Sequence, residues 1–388
     1  MKSEKRQNKT RPLEIAGIKI WPGERKCLEL PAASLYTQTP LNLPVHVIRG
    51  KKRSGSVGPC LFITAVIHGD ELNGVEIIRR LLASPRLKRL HGTLIAVPVV
   101  NVYGFIALSR YLPDRRDLNR SFPGSQKGSL ASRLANLLMK EIVSKCEYGI
   151  DLHTGAIHRF NLPQIRANLD TERAEALAKA FNVPVILDSK LKDGSLRQAA
   201  SELKSPIPIL VYEGGEALCF DELSIRTGVR GILRVMETIG MLRPPSSKRA
   251  KSIVPLIARS SHWIRAPRSG IIHSSKTPGA RIRAGNSLGF IADPFGSPAA
   301  AEESIIAERD GIIIGKNNLP LVNEGDALFH VACYEEISVV ESQLEEFQTL
   351  ELRPPETFFG FLRSNLSAFP LFCSLFFFIS FFSGSFGF

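Results

Sequence analysis

The sequence predicts an α/β body followed by a small all-β domain. Three observations predict it: short apolar runs bounded by glycine and proline, stretches of helical spacing between those runs, and an abrupt change of texture after Pro244-Pro245-Ser246-Ser247. Strands that alternate with helices call for a largely parallel sheet with helices packed on it.

In chain order, Met1 to Pro12 is polar and basic, is expected to be disordered, and lacks the apolar core of a secretory signal. Residues 13 to 48 alternate in short pieces (Leu13 to Ile20, Val45 to Ile48) and read as a β-rich entry segment. Leu61 to Ile67 is an apolar run, interrupted only by Thr64, between Gly-Pro and His-Gly, the pattern of a strand buried on both faces. Leu72 to Ala83 then carries apolar positions at helical spacing. Strands follow at Thr93 to Val99, Gly149 to Leu152, Val183 to Leu187 and Ile207 to Tyr212, with helices near Ser129 to Ser144, Thr171 to Phe181 and Asp221 to Ile239. Past the prolines, Trp263 to His273, Ala284 to Ile291, Ser304 to Ile314 and Ala327 to Cys333 are strand-like and punctuated by glycines. The expected division is 13–245 for the α/β body, 253–340 for the β domain and 352–388 for a tail.

The tail stands apart. No charge follows Arg363, and more than half of the 22 phenylalanines lie after Thr357. Residues 366–388 are long enough to enter a bilayer, but their serines and glycines make a poor span. Membrane contact, a non-native or disordered appendage, and packing on the body all stay open.

Bulk composition narrows the function. A chain of 388 residues exceeds one ordinary domain, and 44% hydrophobic with 22% charged residues suits a soluble protein with a sizeable core. A formal charge of +13 favours anionic partners. The basic residues are scattered, however, and no zinc-finger, RNP or basic-helix pattern appears, so a small anionic molecule is expected rather than nucleic acid. The densest basic run, Lys248 to Lys251, reads as a solvated linker. Six cysteines (Cys27, Cys60, Cys146, Cys219, Cys333, Cys373) form no CxxC pair, which fits reduced thiols in a cytoplasmic protein.

The chemistry gathers at strand ends, where open α/β sheets bind ligands. His68-Gly69-Asp70-Glu71 sits between the first core strand and its helix, and an HxxE pair there can turn imidazole and carboxylate toward one metal ion. Alone the pair is weak evidence, since His68 could be a turn residue and Glu71 a carboxylate at a helix N-terminus. His153, in Asp151-Leu152-His153-Thr154-Gly155, also ends a strand, with Asp151 on the same face to orient it. A solitary histidine there is more often a hydrogen-bonded core residue. Two histidines and one carboxylate nevertheless leave a tetrahedral position open, as in catalytic zinc sites. Glu213, before Gly214-Gly215, could serve as base and then acid, or could simply precede a glycine turn. Arg110 could face an oxyanion, and Asn119 with Arg120 could grip a carboxylate. The alternative is a solvated loop.

Taken together these motifs resemble the succinylglutamate desuccinylase/aspartoacylase family of zinc carboxypeptidase-like deacylases. The resemblance rests on His68-Gly69-Asp70-Glu71, Arg110-Tyr111, Asp117-Leu118-Asn119-Arg120, Asp151-Leu152-His153 and Glu213, in that order, and spans roughly residues 20 to 335. It implies a carboxypeptidase-like three-layer α/β/α catalytic domain with a mixed sheet, and a barrel-sandwich-like C-terminal β domain. It also implies one zinc ion per subunit on His68, Glu71 and His153, with Glu213 as general base and acid. Arg110 would polarise the carbonyl, and Asn119 and Arg120 would hold the substrate carboxylate. The loop Tyr111 to Arg116 is longer than in aspartoacylase, and that enzyme's further substrate arginine and late tyrosine have no matched counterpart. The sequence is therefore more similar to the broad bacterial deacylases of the family.

The expected protein is thus a cytoplasmic, homo-oligomeric zinc hydrolase that cleaves an N-acylated amino acid or similar carboxylate-bearing amide; the family is also described among hydrolases acting on esters. Two rivals are a metallocarboxypeptidase acting on peptides and a membrane-attached non-enzymatic protein with a vestigial site.

Overall fold

The computed structural model describes residues 11–53, 56–245, 253–296 and 301–333. The polar N-terminus up to residue 10, the basic run Lys248 to Lys251 and the Phe-rich tail lie outside the described residues. Among the described residues, no helix is long and apolar enough to cross a membrane.

The α/β body forms because its central strands are apolar on both faces. Strands β1 (Arg25–Ser34) and β2 (Pro40–Arg49) make an antiparallel pair at one edge. Inward from them come β3 (Cys60–Ala65), β4 (Thr93–Val97), β5 (Tyr148–Gly155), β6 (Arg159–Ala167), β7 (Val185–Asp188) and β8 (Ile209–Glu216). Of these, β4–β3–β5–β8 pair in parallel, and β6 joins β8 antiparallel. Successive side chains of a strand face opposite layers. Leu61, Ile63 and Ala65 therefore pack against helices α1 (Asn73–Ala83), α4 (Glu172–Phe181) and α6 (Glu222–Thr238). Phe62, Ile95 and Ile209 face the other way, toward α3 (Leu130–Glu141) and α5 (Leu196–Ser201). The product is a three-layer α/β/α body around a mixed sheet. A short helix, α2 (Val102–Ala107), completes the helical set.

Local chemistry sets the helix starts. Thr171 accepts from Ala174 N–H before α4, and Asp221 accepts from Ser224 N–H before α6. The first turn of α1 is strapped to α6 by Arg80, which bridges Glu76 and Glu222.

The sheet does not stop at Pro244-Pro245. Strands β9 (Leu256–Ala258), β10 (Ser260–Arg265), β11 (Gly311–Asn317) and β12 (Ala327–Cys333) extend it. β11 pairs antiparallel with β6, and β9 pairs parallel with β7. The sheet thus runs β10-β12-β11-β6-β8-β5-β3-β4-β2-β1, with β7, β9 and the short Arg281–Ile282 strand beside this path. A second, four-stranded sheet of Glu303–Ile306, Ser287–Ala292, Gly270–His273 and Leu321–Val322 encloses a separate apolar cluster with the extended one.

One strand of the body differs from the sequence reading. β6 was not expected, because Pro163 interrupts a mixed polar run; it forms nonetheless, since three strands pair with it. β1, carrying Pro31, is held by its long pairing with β2.

One glycine fixes how closely the first strand–helix turn approaches its neighbour. A Cβ on Gly69 would lie 2.0 Å from the Gly104 carbonyl carbon in α2. Gly69→Ala must push these backbones apart, and a loss of about 2 kcal/mol or more is expected in chemical denaturation. An unchanged midpoint would show that the turn can move freely.

Candidate metal centre

Three core strands deliver the central residues. β3 ends at Ala65, Val66 takes a left-handed backbone conformation (φ 57°), and His68 follows at the sheet's rim. Glu71 sits just before α1. His153 lies near the end of β5, and its register partner on the adjacent parallel strand β8 is Glu213.

The Glu71 carboxylate lies between the two imidazoles. Its Oε1 is 2.7 Å from His68 Nδ1 and its Oε2 is 2.8 Å from His153 Nδ1. Thr154 N–H also donates to Oε2 at 3.1 Å. All three side chains are buried, and their ligand atoms lie within 4.8 Å of one another. The far ring nitrogens meet carboxylates too: His153 Nε2 is 2.7 Å from Asp151 Oδ2, and His68 Nε2 is 3.2 Å from Asp117 Oδ1. Thr64, register partner of Asp151 on β3, donates its hydroxyl to the remaining Asp151 oxygen at 2.7 Å. Each histidine is thus fixed at both nitrogens, with Nδ1 turned to the common centre.

The electrostatics follow from this geometry. Burial alone would raise the Glu71 carboxyl, but His68 and His153 hold it well below the usual carboxylate range. Burial opposes charge on His153, yet Asp151 and Glu71 lift it well above the usual imidazole value. His68 is likewise raised, against burial, by Glu71 and Asp117. Asp117, also desolvated, is held low by His68 and Arg110.

Around this centre lies a cleft of about 240 Å³. Arg110 reaches it with one amine 2.9 Å from Asp117 Oδ2 and the other 3.4 Å from Glu71 Oε1. Asn119 and Arg120 line it from the loop beyond; Asn119 Oδ1 accepts from Leu196 N–H at 3.0 Å, which leaves the amide N–H groups as the available donors. Glu213 lines the same cleft, with Asn161 Nδ2 donating to its Oε2 at 2.8 Å and Arg166 Nε 3.6 Å from its Oε1. The structure therefore brings His68, Glu71, Arg110, Asn119, Arg120, His153 and Glu213 to one cavity.

Several partners escaped the sequence reading. Asp117 was read only within its motif, and its grip on His68 comes from tertiary contact. Asn73 is buried at the start of α1, donating to Gly214 O at 2.9 Å and accepting from Asp221 N–H at 3.0 Å, so it ties the Glu71 helix to the irregular end of β8 after Glu213. Gly215 needs its positive φ (78°), and an added Cβ would lie 2.4 Å from the Asn73 amide. Arg159, Asn161 and Arg166 stand on the unexpected strand β6, and Lys192, Arg197 and Trp263 also reach the cleft. Burial and Arg166 together lower Arg197 to about 10, against the opposing pull of Asp151, Glu213 and Asp188, and burial with Arg166 and Arg120 lowers Lys192.

The chain is similar to known proteins. A family model described as the succinylglutamate desuccinylase/aspartoacylase catalytic domain matches residues 57–239. An N-α-acetyl-L-2,4-diaminobutyric acid deacetylase of Halomonas elongata is 28% identical over 311 residues, covering 77% of this chain and 86% of that protein. The crystal structure of a succinylglutamate desuccinylase/aspartoacylase from Rhodobacter sphaeroides superposes with a TM-score of 0.69 at 25% identity, over 81% of this chain and 95% of the other. The product-bound ectoine utilization protein EutE (DoeB) of Ruegeria pomeroyi shares the fold, with a TM-score of 0.69 at 22% identity over 84% and 99% of the two chains. The described fold and these relatives agree with that match, and residues 57–239 form a catalytic domain of the succinylglutamate desuccinylase/aspartoacylase type.

Proposed function

We propose that this protein hydrolyses the acyl–amide bond of an N-acylated amino acid, or a similar carboxylate-bearing amide, with one zinc ion. The observation that carries the reading is the convergence of His68 Nδ1, Glu71 and His153 Nδ1 beside Glu213 in a cation-lined cleft.

The donor set fits zinc. Two imidazole nitrogens and a carboxylate are zinc ligands, and a carboxylate behind each imidazole is the usual outer support. Zinc held there would lower the pKa of a bound water and polarise a carbonyl. Glu213 would take a proton from the attacking water and return it to the departing amine, held in place by Asn161. Arg110 would turn a free N–H toward the oxyanion, and Arg120 with the Asn119 amide would hold the substrate's carboxylate.

A cleft of about 240 Å³ favours a small substrate over a peptide. The similar Halomonas protein is named for removing acetyl from an amino acid, which supports the same reaction class. A screen of zinc-loaded protein over N-acyl amino acids and C-terminally free peptides tests the reading: turnover of the former is expected, and turnover of peptides alone would favour a carboxypeptidase.

Three further outcomes are expected. Glu213→Gln should keep stoichiometric zinc while kcat falls by about 10²–10⁴; undiminished kcat would remove Glu213 from the reaction. Asp151→Asn and Asp117→Asn should each weaken zinc binding by about 10–100-fold in chelator competition. Binding should also release protons. The carboxylates raise both imidazoles, so below the raised values each carries a proton that the metal must displace. Zinc affinity should therefore fall as pH falls, and calorimetry in buffers of different ionisation enthalpy should register release; pH-independent affinity would contradict the histidine ligands.

A further inference from the structure

The cleft's wall is completed by an aromatic residue from beyond Pro244-Pro245. Among the described residues, Trp263 on β10 is the one Phe, Tyr or Trp side chain lining it, amid Arg159, Asn161, Arg166 and Lys192. Its position is built by the sheet. Cross-strand partners run in one row from the end of β8 to this indole: Gly215 on β8, Asn161 on β6, Gly315 on β11, His330 on β12 and Trp263 on β10. Gly315 keeps the row tight, since a Cβ there would lie 2.9 Å from Asn161 Oδ1 and 3.3 Å from His330 Cβ.

His330 backs the indole, with ring centroids 4.6 Å apart and planes 8° from parallel, and its Nε2 is 2.9 Å from Ser261 Oγ. Burial, with Arg166 and His262 nearby, pushes its pKa down to about 3, so the stack holds a neutral imidazole. The Arg159 guanidinium carbon lies 5.4 Å from the indole centroid, the range of a cation–π contact.

The order of strands gives this wall a direction. The metal ligands stand at the ends of β3 and β5, Glu213 on β8 comes next, and the row to Trp263 departs on the far side of Glu213. In amide hydrolysis the acyl carbon lies by the metal and the leaving nitrogen by the acid that protonates it. The amine portion therefore extends toward β6 and β10.

We propose that Trp263, backed by His330 and paired with Arg159, forms the subsite for the side chain of the amino-acid product and selects substrates by its apolar stem. This rests on the deacylase reading above. Two measurements test it. In steady-state kinetics on N-acetyl-glycine, -alanine, -leucine and -phenylalanine, Trp263→Ala should lower kcat/KM for the long side chains by about tenfold, mainly through KM, and leave the glycine substrate within about twofold. A series of N-acetyl, N-propionyl and N-butyryl alanine should keep its relative rates, and Trp263→Phe should restore much of the side-chain preference.

The second measurement does not depend on turnover. The chain has two tryptophans, and Trp21 is half-exposed and absent from the cleft lining. In a zinc-loaded Trp21→Phe, Glu213→Gln protein, indole emission reports Trp263 alone. N-acetyl-L-leucine should change that emission along the binding curve seen by calorimetry. Calorimetric saturation with unchanged emission, or a Trp263→Ala protein that alters acyl preference instead, overturns the subsite while leaving the deacylase reading intact. If no N-acyl amino acid is bound or hydrolysed, both fall.

Discussion

A carboxylate that is 97% shielded from water organises this molecule: Glu71 is 3% exposed. Such a group is costly to bury unless it is paired and hydrogen-bonded. Here both oxygens are occupied, by two imidazoles, a backbone N–H and an arginine. Those imidazoles then require partners of their own, which Asp151 and Asp117 provide, and Thr64 steadies Asp151. Each neighbour's position follows from satisfying the one before it. This chain of obligations explains why so many polar side chains can sit at the sheet's rim beside an apolar core.

The register of β5 and β8 connects that network to reactivity. Glu213 and His153 are direct partners on parallel strands, so the proposed proton carrier and a proposed ligand are placed by backbone hydrogen bonds rather than by flexible loops. Asn73 adds a cross-tie between the helix after Glu71 and the end of β8 just past Glu213. Positioning of this kind limits how far the two groups can drift apart.

Much of this was legible in the sequence for a physical reason. Leu61 to Ile67 is apolar at every position but Thr64, the pattern of a buried strand, and the His-Gly that ends it emerges at the sheet's rim. Asp151 and His153, two apart on a strand, had to share a face, and the structure pairs them at 2.7 Å. The β6 strand was illegible because it draws its stability from three neighbours rather than from its own pattern, and Pro163 argues locally against it. With β6 went Asn161, Arg159 and Arg166. Asp117 and Asn73 were hidden for a related reason: nothing in a local string says which histidine, 49 residues away, or which carbonyl, 141 residues away, a side chain will meet.

The strand pairing across Pro244-Pro245 has a consequence for how the protein folds. Because β11 bonds to β6 and β9 to β7, segments between residues 256 and 317 supply ladder partners for strands that carry the cleft. A chain emerging from the ribosome cannot complete this sheet until those residues appear, and until then the Arg159–Asn161 stretch of β6 presents an open edge to any passing strand. The two halves differ in texture, yet they are expected to melt in one cooperative transition. The linker between them marks a change of sequence style, and the hydrogen-bonded sheet passes over it.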